Sequence, residues 1–369
     1  MQDRVVEENI KPNGITFDVT DRCQLKCVTC TRWLTKHSDV IDKELTTQEW
    51  KDAMFKLRNW LGEGAGFCVS GGEPFLRSDL LELIEYAKSI GLKPSTMTNA
   101  FSISNKLEDI AKSPLDGVNI SLNAINNNDV HDWSRGIKGS CKVTTEAILK
   151  LNEIVIRERE YSNINIATIF MPENVDEIIP LAQFVHDNKL RGIMFQLQDD
   201  KDSFHAYDEK SAINIFTTKM SDELTNKYKQ VAPKALKVID RLVEMKKEGY
   251  VIYNSFEQLE LMKNFFKNPS TALNGVECSV GETNFAIDPY GDVRICFNLK
   301  PIGNIKDADP EELWKSRNAT LCRNSIKQCK MFCRILNCNF QASKTIFNKH
   351  FFDRVYKNVL SFAVSIVRR

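Results

Sequence analysis

An α/β fold built on a parallel sheet is what this sequence predicts, and three observations predict it. Short β-branched runs alternate with longer segments of helical period between residues 15 and 198, the pattern of successive βα units. At 369 residues the chain is long enough to bury one large core and a smaller one beside it. Its 42% hydrophobic and 27% charged residues, with no apolar run of eighteen, match a globular chain rather than a disordered or membrane-embedded one.

The elements follow in order. Strands are predicted at "ITFDVT" (15–20), "GFCVSG" (66–71), "KPSTMTN" (93–99), "GVNISLNA" (117–124), "INIATIF" (164–170) and "GIMFQLQ" (192–198). Between them, segments such as "TTQEWKDAMFKLRNWL" and "NVDEIIPLAQFVHDNK" carry apolar residues at i, i+3, i+4 and i+7, as helices covering one face of a sheet do. Six such units suit an open partial barrel or a doubly wound sheet, and both place ligands at the C-terminal ends of the strands. After residue 198 the regularity stops. A polar stretch is followed by two bridging helices, "APKALKVIDRLVEMKKEGY" (232–250) and "FEQLELMKNFFKN" (256–268). "TNFAIDPYGDVRIC" (283–296) alternates around a Pro-Tyr-Gly-Asp turn and reads as a hairpin, with a Cys-rich run behind it. The expected division is an N-terminal extension (1–14), the βα domain (15–198), a bridging loop and helices (199–274), a small Cys-rich hairpin and helix domain (275–340) and an amphipathic helix (341–369).

Charge and targeting signals narrow the class. Fifty Lys and Arg against 49 Asp and Glu leave a net charge of +1, which carries no global footprint of nucleic-acid binding. "MQDRVVEENIKPNG" has neither an apolar h-region nor a cleavage site, so a cytoplasmic protein is expected. In that reducing setting eleven Cys point to metal ligation or redox chemistry rather than disulfides. Their placement is uneven: three at 23–30, six at 278–338, and only Cys68 and Cys141 alone.

The first group reads "CQLKCVTC", with Cys23, Cys27 and Cys30 in eight residues. With Cys at about 3% of residues, three at a fixed spacing arise by chance roughly 0.01 times in such a length, so accident is a poor explanation. A helical stripe of small buried hydrophobes is the bland reading. A structural zinc site closes four ligands, and here the fourth is missing nearby. Three thiolates on a [4Fe-4S] cluster leave one iron open to an outside ligand, which a cluster closed by four thiolates does not.

The Cys-x3-Cys-x2-Cys spacing resembles the signature of the radical S-adenosylmethionine (radical SAM) superfamily, whose fold is an open (β/α)6 partial TIM barrel. "SGGEP" (70–74), at the end of the second strand, looks like that family's glycine-rich segment. The resemblance implies that the backbone at Gly71 and Gly72 meets the cofactor's amino group, that Glu73 adds a charge-assisted contact, and that Pro74 belongs to the same turn. It further places Thr98 and Asn99, then Ser121 and Asn123, at successive strand ends. Arg135 of "HDWSRG" would hold the cofactor's carboxylate, and Phe170, Met171 and Asn174 would flank adenine. The chain departs from the pattern at Thr29, where many relatives carry an aromatic residue, and at Ala100, where Thr-Asn-Gly is commoner. By this resemblance the chain takes a [4Fe-4S] cluster with an open iron site and S-adenosyl-L-methionine, receives an electron from a donor such as flavodoxin or ferredoxin, and abstracts hydrogen from substrate.

Cys278, Gly291 and Cys296 are spaced Cys-x12-Gly-x4-Cys, similar to the opening of the SPASM and twitch extensions of that family. The downstream intervals between Cys322, Cys329, Cys333 and Cys338 are six, three and four residues, which departs from the fuller SPASM pattern. One auxiliary [4Fe-4S] cluster on Cys278, Cys296, Cys329 and Cys333 is expected, with Cys338 competing for the fourth place and Cys322 a bystander. Zinc on the same thiols is the alternative. Some relatives return hydrogen through a thiol, for which Cys141 and Cys338 are the candidates; burial as a small hydrophobe is the competing reading for each.

The expected substrate is a polar small molecule, a sugar or lipid-linked compound among them, ending in oxidation or epimerisation. Modification of a ribosomally made peptide is the alternative. It is disfavoured here because the first strand begins near residue 15, with no room for the leader-binding domain that peptide-modifying relatives often carry. A non-catalytic iron-sulfur or zinc module is the third reading. The tail 344–369 has six Lys or Arg against one Asp, with Phe347, Phe351, Val355 and Val359 on one stripe. Such a helix either docks on its own protein or makes a peripheral contact with an anionic membrane.

Overall fold

Hydrogen-bonded strands form at all six places where the alternation predicts them. They are β1 (Gly14–Asp18), β2 (Gly66–Ser70), β3 (Lys93–Thr98), β4 (Gly117–Ser121), β5 (Ile164–Phe170) and β6 (Gly192–Leu197). The computed structural model describes residues 10–30, 32–34, 41–198, 220–272 and 276–335. Each strand pairs in parallel with the next, in the order β6-β5-β4-β3-β2-β1, so the sheet is an open (β/α) partial barrel. Several strands stop short of their predicted ends, β4 by three residues, because the residues beyond leave the regular ladder for the loops above it.

Helices α1 (Thr47–Leu61), α2 (Leu80–Ser89), α3 (Leu107–Lys112), α4 (Asn128–Arg135), α5 (Ser140–Arg159) and α6 (Ile178–Asp187) follow the strands. On α1 the buried residues Trp50, Ala53, Met54, Leu57 and Trp60 form the expected stripe. It packs against outward strand residues such as Phe17, which meets Trp50 at 5.3 Å between ring centroids. A capping box at Thr46 and Glu49 fixes where α1 begins.

The inward faces differ. Thr16, Cys68, Ser95, Met97, Asn119, Ser121, Asn165, Ala167 and Met194 alternate with the buried positions and are half-buried. A closed barrel fills its axis with layers of branched side chains; these mostly small or polar residues, with Met97 and Met194 among them, leave a lumen instead.

Beyond β6, α7 (Asp222–Lys247) begins ten residues before the predicted 232. Pro233 reads as a helix start, but it lies inside the helix on the exposed side, where solvent can meet the carbonyl it leaves unpaired. Next come α8 (Phe256–Lys267), α9 (Pro269–Ala272) and α10 (Val280–Thr283). The predicted hairpin is β7 (Asn284–Ile287) and β8 (Asp292–Arg294), joined antiparallel and extended by β9 (Gly303–Asn304). Gly291 takes the left-handed conformation, φ 91°, that closes its turn. The hairpin continues the barrel's own sheet, since β7 pairs in parallel with β1. Helices α11 (Pro310–Lys315) and α12 (Arg317–Gln328) then precede a 3-10 turn at Phe332–Ile335.

Strand direction fixes where the thiols go. Cys23, Cys27 and Cys30 follow β1, at the C-terminal edge of the sheet. Because Asn284 pairs with Gly14, the chain before β7 lies at the opposite edge, and β8 runs back towards it. Cys278 and Cys296 therefore stand at the N-terminal edge, about 17 Å away for strands of five residues. Among the described residues, no helix is long and apolar enough to cross a membrane. Residues 341–369 and the membrane contact expected of them lie outside the described residues.

Candidate functional site

The three-thiol loop is zipped to the glycine-rich segment by backbone. Gly72 N–H donates to the Thr20 carbonyl (2.7 Å) and Glu73 N–H to that of Arg22 (2.7 Å). A Cβ on Gly71 would collide with the Thr20 carbonyl oxygen, and one on Gly72 with that of Arg22. The two glycines are thus required by this chain's own close approach. The Gly72 and Glu73 N–H groups are spent there, so a ligand's amine would meet the segment through its carbonyls.

Glu73 differs from expectation. It is fully buried, and its carboxylate accepts from Thr98 Oγ1 (2.8 Å), Asn99 N (2.8 Å) and Phe75 N (3.2 Å). Burial raises its pKa while those three donors oppose the rise. It braces the end of β3. Pro74, also buried, opens the 3-10 turn after it. Asn99 lies beside the thiols: its Nδ2 approaches Cys23 Sγ at 3.7 Å, and its Oδ1 accepts from Gln24 Nε2 (3.1 Å).

Arg135 closes α4, a helix that sequence reasoning missed because its eight residues are mostly polar. The helix end is pinned to the thiol loop, with Val28 N–H donating to the Ser134 carbonyl (3.1 Å). Arg135 is buried, its Nη1 stands 3.9 Å from Cys27 Sγ, and its Nε has no hydrogen-bond partner. A buried guanidinium with an unmet donor fits a carboxylate.

Two further groups of candidate residues are buried. Asn123 is buried and fully engaged, with His131 Nδ1 accepting from its N–H, Ser134 Oγ accepting from Nδ2, and its Oδ1 accepting from Ile169 N. Phe170, Met171 and Asn174 are also fully buried, and Asn174 Nδ2 donates to the carbonyls of Asn123 and Ile169. These residues shape the loops from below rather than facing a ligand. Ser121 is half-buried on the lumen side, with Met97 Sδ 3.9 Å from its hydroxyl.

Around the loop lies a charge network that the sequence did not show. Arg32, two residues after Cys30, pairs with Asp18 and with Asp21 (2.6 Å). Burial opposes its charge, but those two carboxylates hold it firmly protonated. Asp21 also accepts from Tyr290 Oη at the hairpin turn (2.9 Å). Burial pushes the Cys23 thiol up to about 11 and raises Cys30 as well, so without a metal both are protonated at neutral pH.

At the opposite edge, Cys278, Cys322 and Cys329 all bear on the half-buried Cys296, whose thiol is driven upward chiefly by desolvation. The supposed bystander Cys322 stands first among them, and its sulfur accepts from Cys296 N–H. Cys333 packs with Met331, Leu299 and Cys329, and Asn298 Nδ2 approaches its sulfur at 3.8 Å. Cys338 lies outside the described residues. Cys141 is buried with its thiol donating to the Ala124 carbonyl (3.5 Å), as a packed core thiol does. Among the described residues, no three Cys, His, Asp or Glu are arranged to hold one metal ion. A cubane cluster asks for separated thiolates, one to each iron.

Two family models match the chain: the radical SAM superfamily over residues 17–185, and an iron-sulfur cluster-binding domain, SPASM, over residues 278–339. The chain belongs to the radical SAM superfamily. Its cofactors are accordingly a [4Fe-4S] cluster and S-adenosylmethionine, with auxiliary iron-sulfur binding in the SPASM region. It is similar to the PqqA peptide cyclase of Bradyrhizobium diazoefficiens, at 34% identity over 31% of this chain and 29% of that one. Mycofactocin maturase MftC of Mycolicibacterium smegmatis is 31% identical over 46% and 41%. The Fe-coproporphyrin III synthase of Methanosarcina barkeri is 28% identical over 49% and 43%. The matches thus span less than half the length of these curated relatives. Streptococcus suis SuiB bound to precursor peptide SuiA has the same fold (TM-score 0.59, 17% identity, 84% of this chain and 66% of that one). So does anSMEcpe with bound AdoMet and Cp18Cys peptide (TM-score 0.59, 16% identity, 96% and 100%).

Proposed function

We propose that this enzyme abstracts a hydrogen atom from a peptide substrate held in its barrel lumen. The observation that carries the reading is a lumen lined mostly by small and polar residues, in a chain similar to a peptide cyclase at 34% identity and to a maturase at 31%. That favours a peptide over the polar small molecule expected first. Bound together, the cluster and S-adenosylmethionine supply a 5′-deoxyadenosyl radical once a donor such as flavodoxin or ferredoxin provides an electron.

This chain's residues position those groups. Cys23, Cys27 and Cys30 hold the cluster, and Asn99 and Arg135 flank it. Arg135 would offer its unmet Nε–H to the methionyl carboxylate, and the Gly71–Gly72 carbonyls would accept from its amine. Glu73 and Asn123 keep those groups in place by tying the strand ends together. Cys278, Cys296, Cys329 and Cys333 remain the proposed auxiliary ligands, with Cys322 now in reach of the same site.

Anaerobically reconstituted enzyme given dithionite and S-adenosylmethionine should release 5′-deoxyadenosine. Cys27→Ala should abolish that product and lower bound iron by about one cluster. Given a library of short deuterated peptides, the enzyme should carry deuterium from at least one of them into the 5′-deoxyadenosine. Deuterium-free product, alongside a mass change in a small molecule instead, would refute the peptide reading.

A further inference from the structure

The lumen ends at the N-terminal edge in a cavity of about 770 Å³ that none of the positioning residues above touches. Its walls are strand starts, including Thr16, Cys68, Ser95, Asn119 and Asn165, closed on one side by Ser279, the neighbour of Cys278. Arg191 and Lys93 stand at its mouth. Neither has a carboxylate partner among the described residues. The Arg191 guanidinium donates to the Asp116 main-chain carbonyl (2.8 Å), while the Asp116 side chain is taken by Lys88 at 3.2 Å. Across the floor runs a directed hydrogen-bond chain: Tyr253 Oη donates to Asn165 Oδ1 (2.7 Å), Asn165 Nδ2 to Asn119 Oδ1 (3.1 Å), and Asn119 Nδ2 to the Thr96 carbonyl (3.0 Å).

From this we infer that the N-terminal mouth of the barrel is a carboxylate-binding subsite, with Arg191 and Lys93 as its cationic groups and the Tyr253–Asn165–Asn119 chain as its floor. Two cations at the rim of one concave surface, neither paired with a carboxylate, attract an anion more strongly together than either would alone. The inference rests on the peptide reading. An extended peptide advances about 3.4 Å per residue, so a carboxylate seated here lies roughly five residues from a carbon presented at the C-terminal edge. The subsite thereby selects peptides with an acidic group at that spacing, supplied by a side chain or by the C-terminus.

Cys68 lines the cavity and reports on it. Burial holds its thiol at about 11, so labelling is slow and is followed in mildly alkaline buffer by mass spectrometry. On reconstituted holoenzyme, anionic sulfonatoethyl methanethiosulfonate should label Cys68 about tenfold faster than the cationic trimethylammonium reagent. Arg191→Gln with Lys93→Gln should bring the ratio near one without altering 5′-deoxyadenosine formation in the absence of substrate. Acetyl-Ala-Ala-Glu-Ala-amide or acetyl-tetra-alanine acid should slow labelling, whereas acetyl-tetra-alanine amide should not. Whichever acid protects identifies the source of the carboxylate. Charge-blind labelling, or protection by neither acid, overturns the subsite and leaves the radical reaction standing. Loss of 5′-deoxyadenosine from the parent enzyme with charge-selective labelling intact would do the reverse.

Discussion

Ala100 occupies the left-handed region at φ 57° and is completely buried. This is the position at which the chain departs from the commoner Thr-Asn-Gly, and the geometry shows why glycine is usual there. An alanine in that conformation costs about 1–2 kcal/mol. Glycine would remove the strain, but it would add about 0.4–1 kcal/mol of unfolded-chain entropy and lose a buried methyl worth about 0.8 kcal/mol. The opposing terms nearly cancel, so Ala100→Gly should change stability by less than about 1 kcal/mol. Ala100→Val puts a branched side chain into the same conformation and into a filled site, and should cost more than about 2 kcal/mol. Denaturant midpoints of the two variants test this. A valine variant as stable as the parent would show that the left-handed turn is not held. The Thr98 hydroxyl, which accepts from Ala100 N–H at 3.0 Å, is the contact expected to hold it.

At the scale of an element, α4 links the strand-four loop to the thiol loop through one histidine. His131 is buried, and its Nδ1 accepts from Asn123 N–H at 3.1 Å. Burial first, and the Arg135 charge second, depress its pKa to about 3 from a usual 6.5, with Asp132 opposing. Folding therefore keeps His131 neutral. Above pH 6.5 neither state is protonated and the stability is whole; as the pH falls below 6.5 the unfolded chain takes up a proton that the fold refuses. Stability then falls by roughly 1.4 kcal/mol per pH unit until the folded value is reached. His131→Asn supplies an acceptor in the same direction without the titration, and should lose roughly 2 kcal/mol less than the parent between pH 6.5 and 5. Equal losses would place the acid sensitivity elsewhere. This helix also marks the limit of what the sequence shows. The six strands and their covering helices were legible because each repeats an apolar period, and the thiol groups because their spacing is improbable. The surroundings of Glu73 and Asn123 were not legible, because their partners, such as Thr98 and Ile169, lie tens of residues away and leave no periodic trace. Cys322 was set aside because its proximity to Cys296 depends on how α12 packs against the hairpin.

Across the whole molecule, parallel pairing of β7 with β1 brings two distant segments to one edge. The turn after β7 must land beside the loop after β1, and Tyr290 of that turn reaches Asp21, two residues before Cys23. Leu45 N–H donating to the Pro289 carbonyl (2.7 Å) adds a second tie. The same hairpin carries Cys296 back to the opposite edge, so one element contacts both thiol groups. Asp21 shares its carboxylate between Tyr290 and Arg32, and Arg32 anchors the chain just beyond Cys30. A hydrogen bond to a charged acceptor is worth about 1.5–3 kcal/mol. Removing it by Tyr290→Phe keeps the ring and its packing but leaves Asp21 held by Arg32 alone. The variant should unfold about 1–2 kcal/mol more easily and should still bind the parent's complement of iron, because no thiol is lost. Its first cluster, less well positioned, should show a weakened S-adenosylmethionine-dependent change in the electron paramagnetic resonance spectrum and a severalfold slower release of 5′-deoxyadenosine. If the spectrum and the rate match the parent while stability falls, the hairpin supports the fold without positioning the thiol loop, and the tie between the two ends of the barrel has no part in the chemistry.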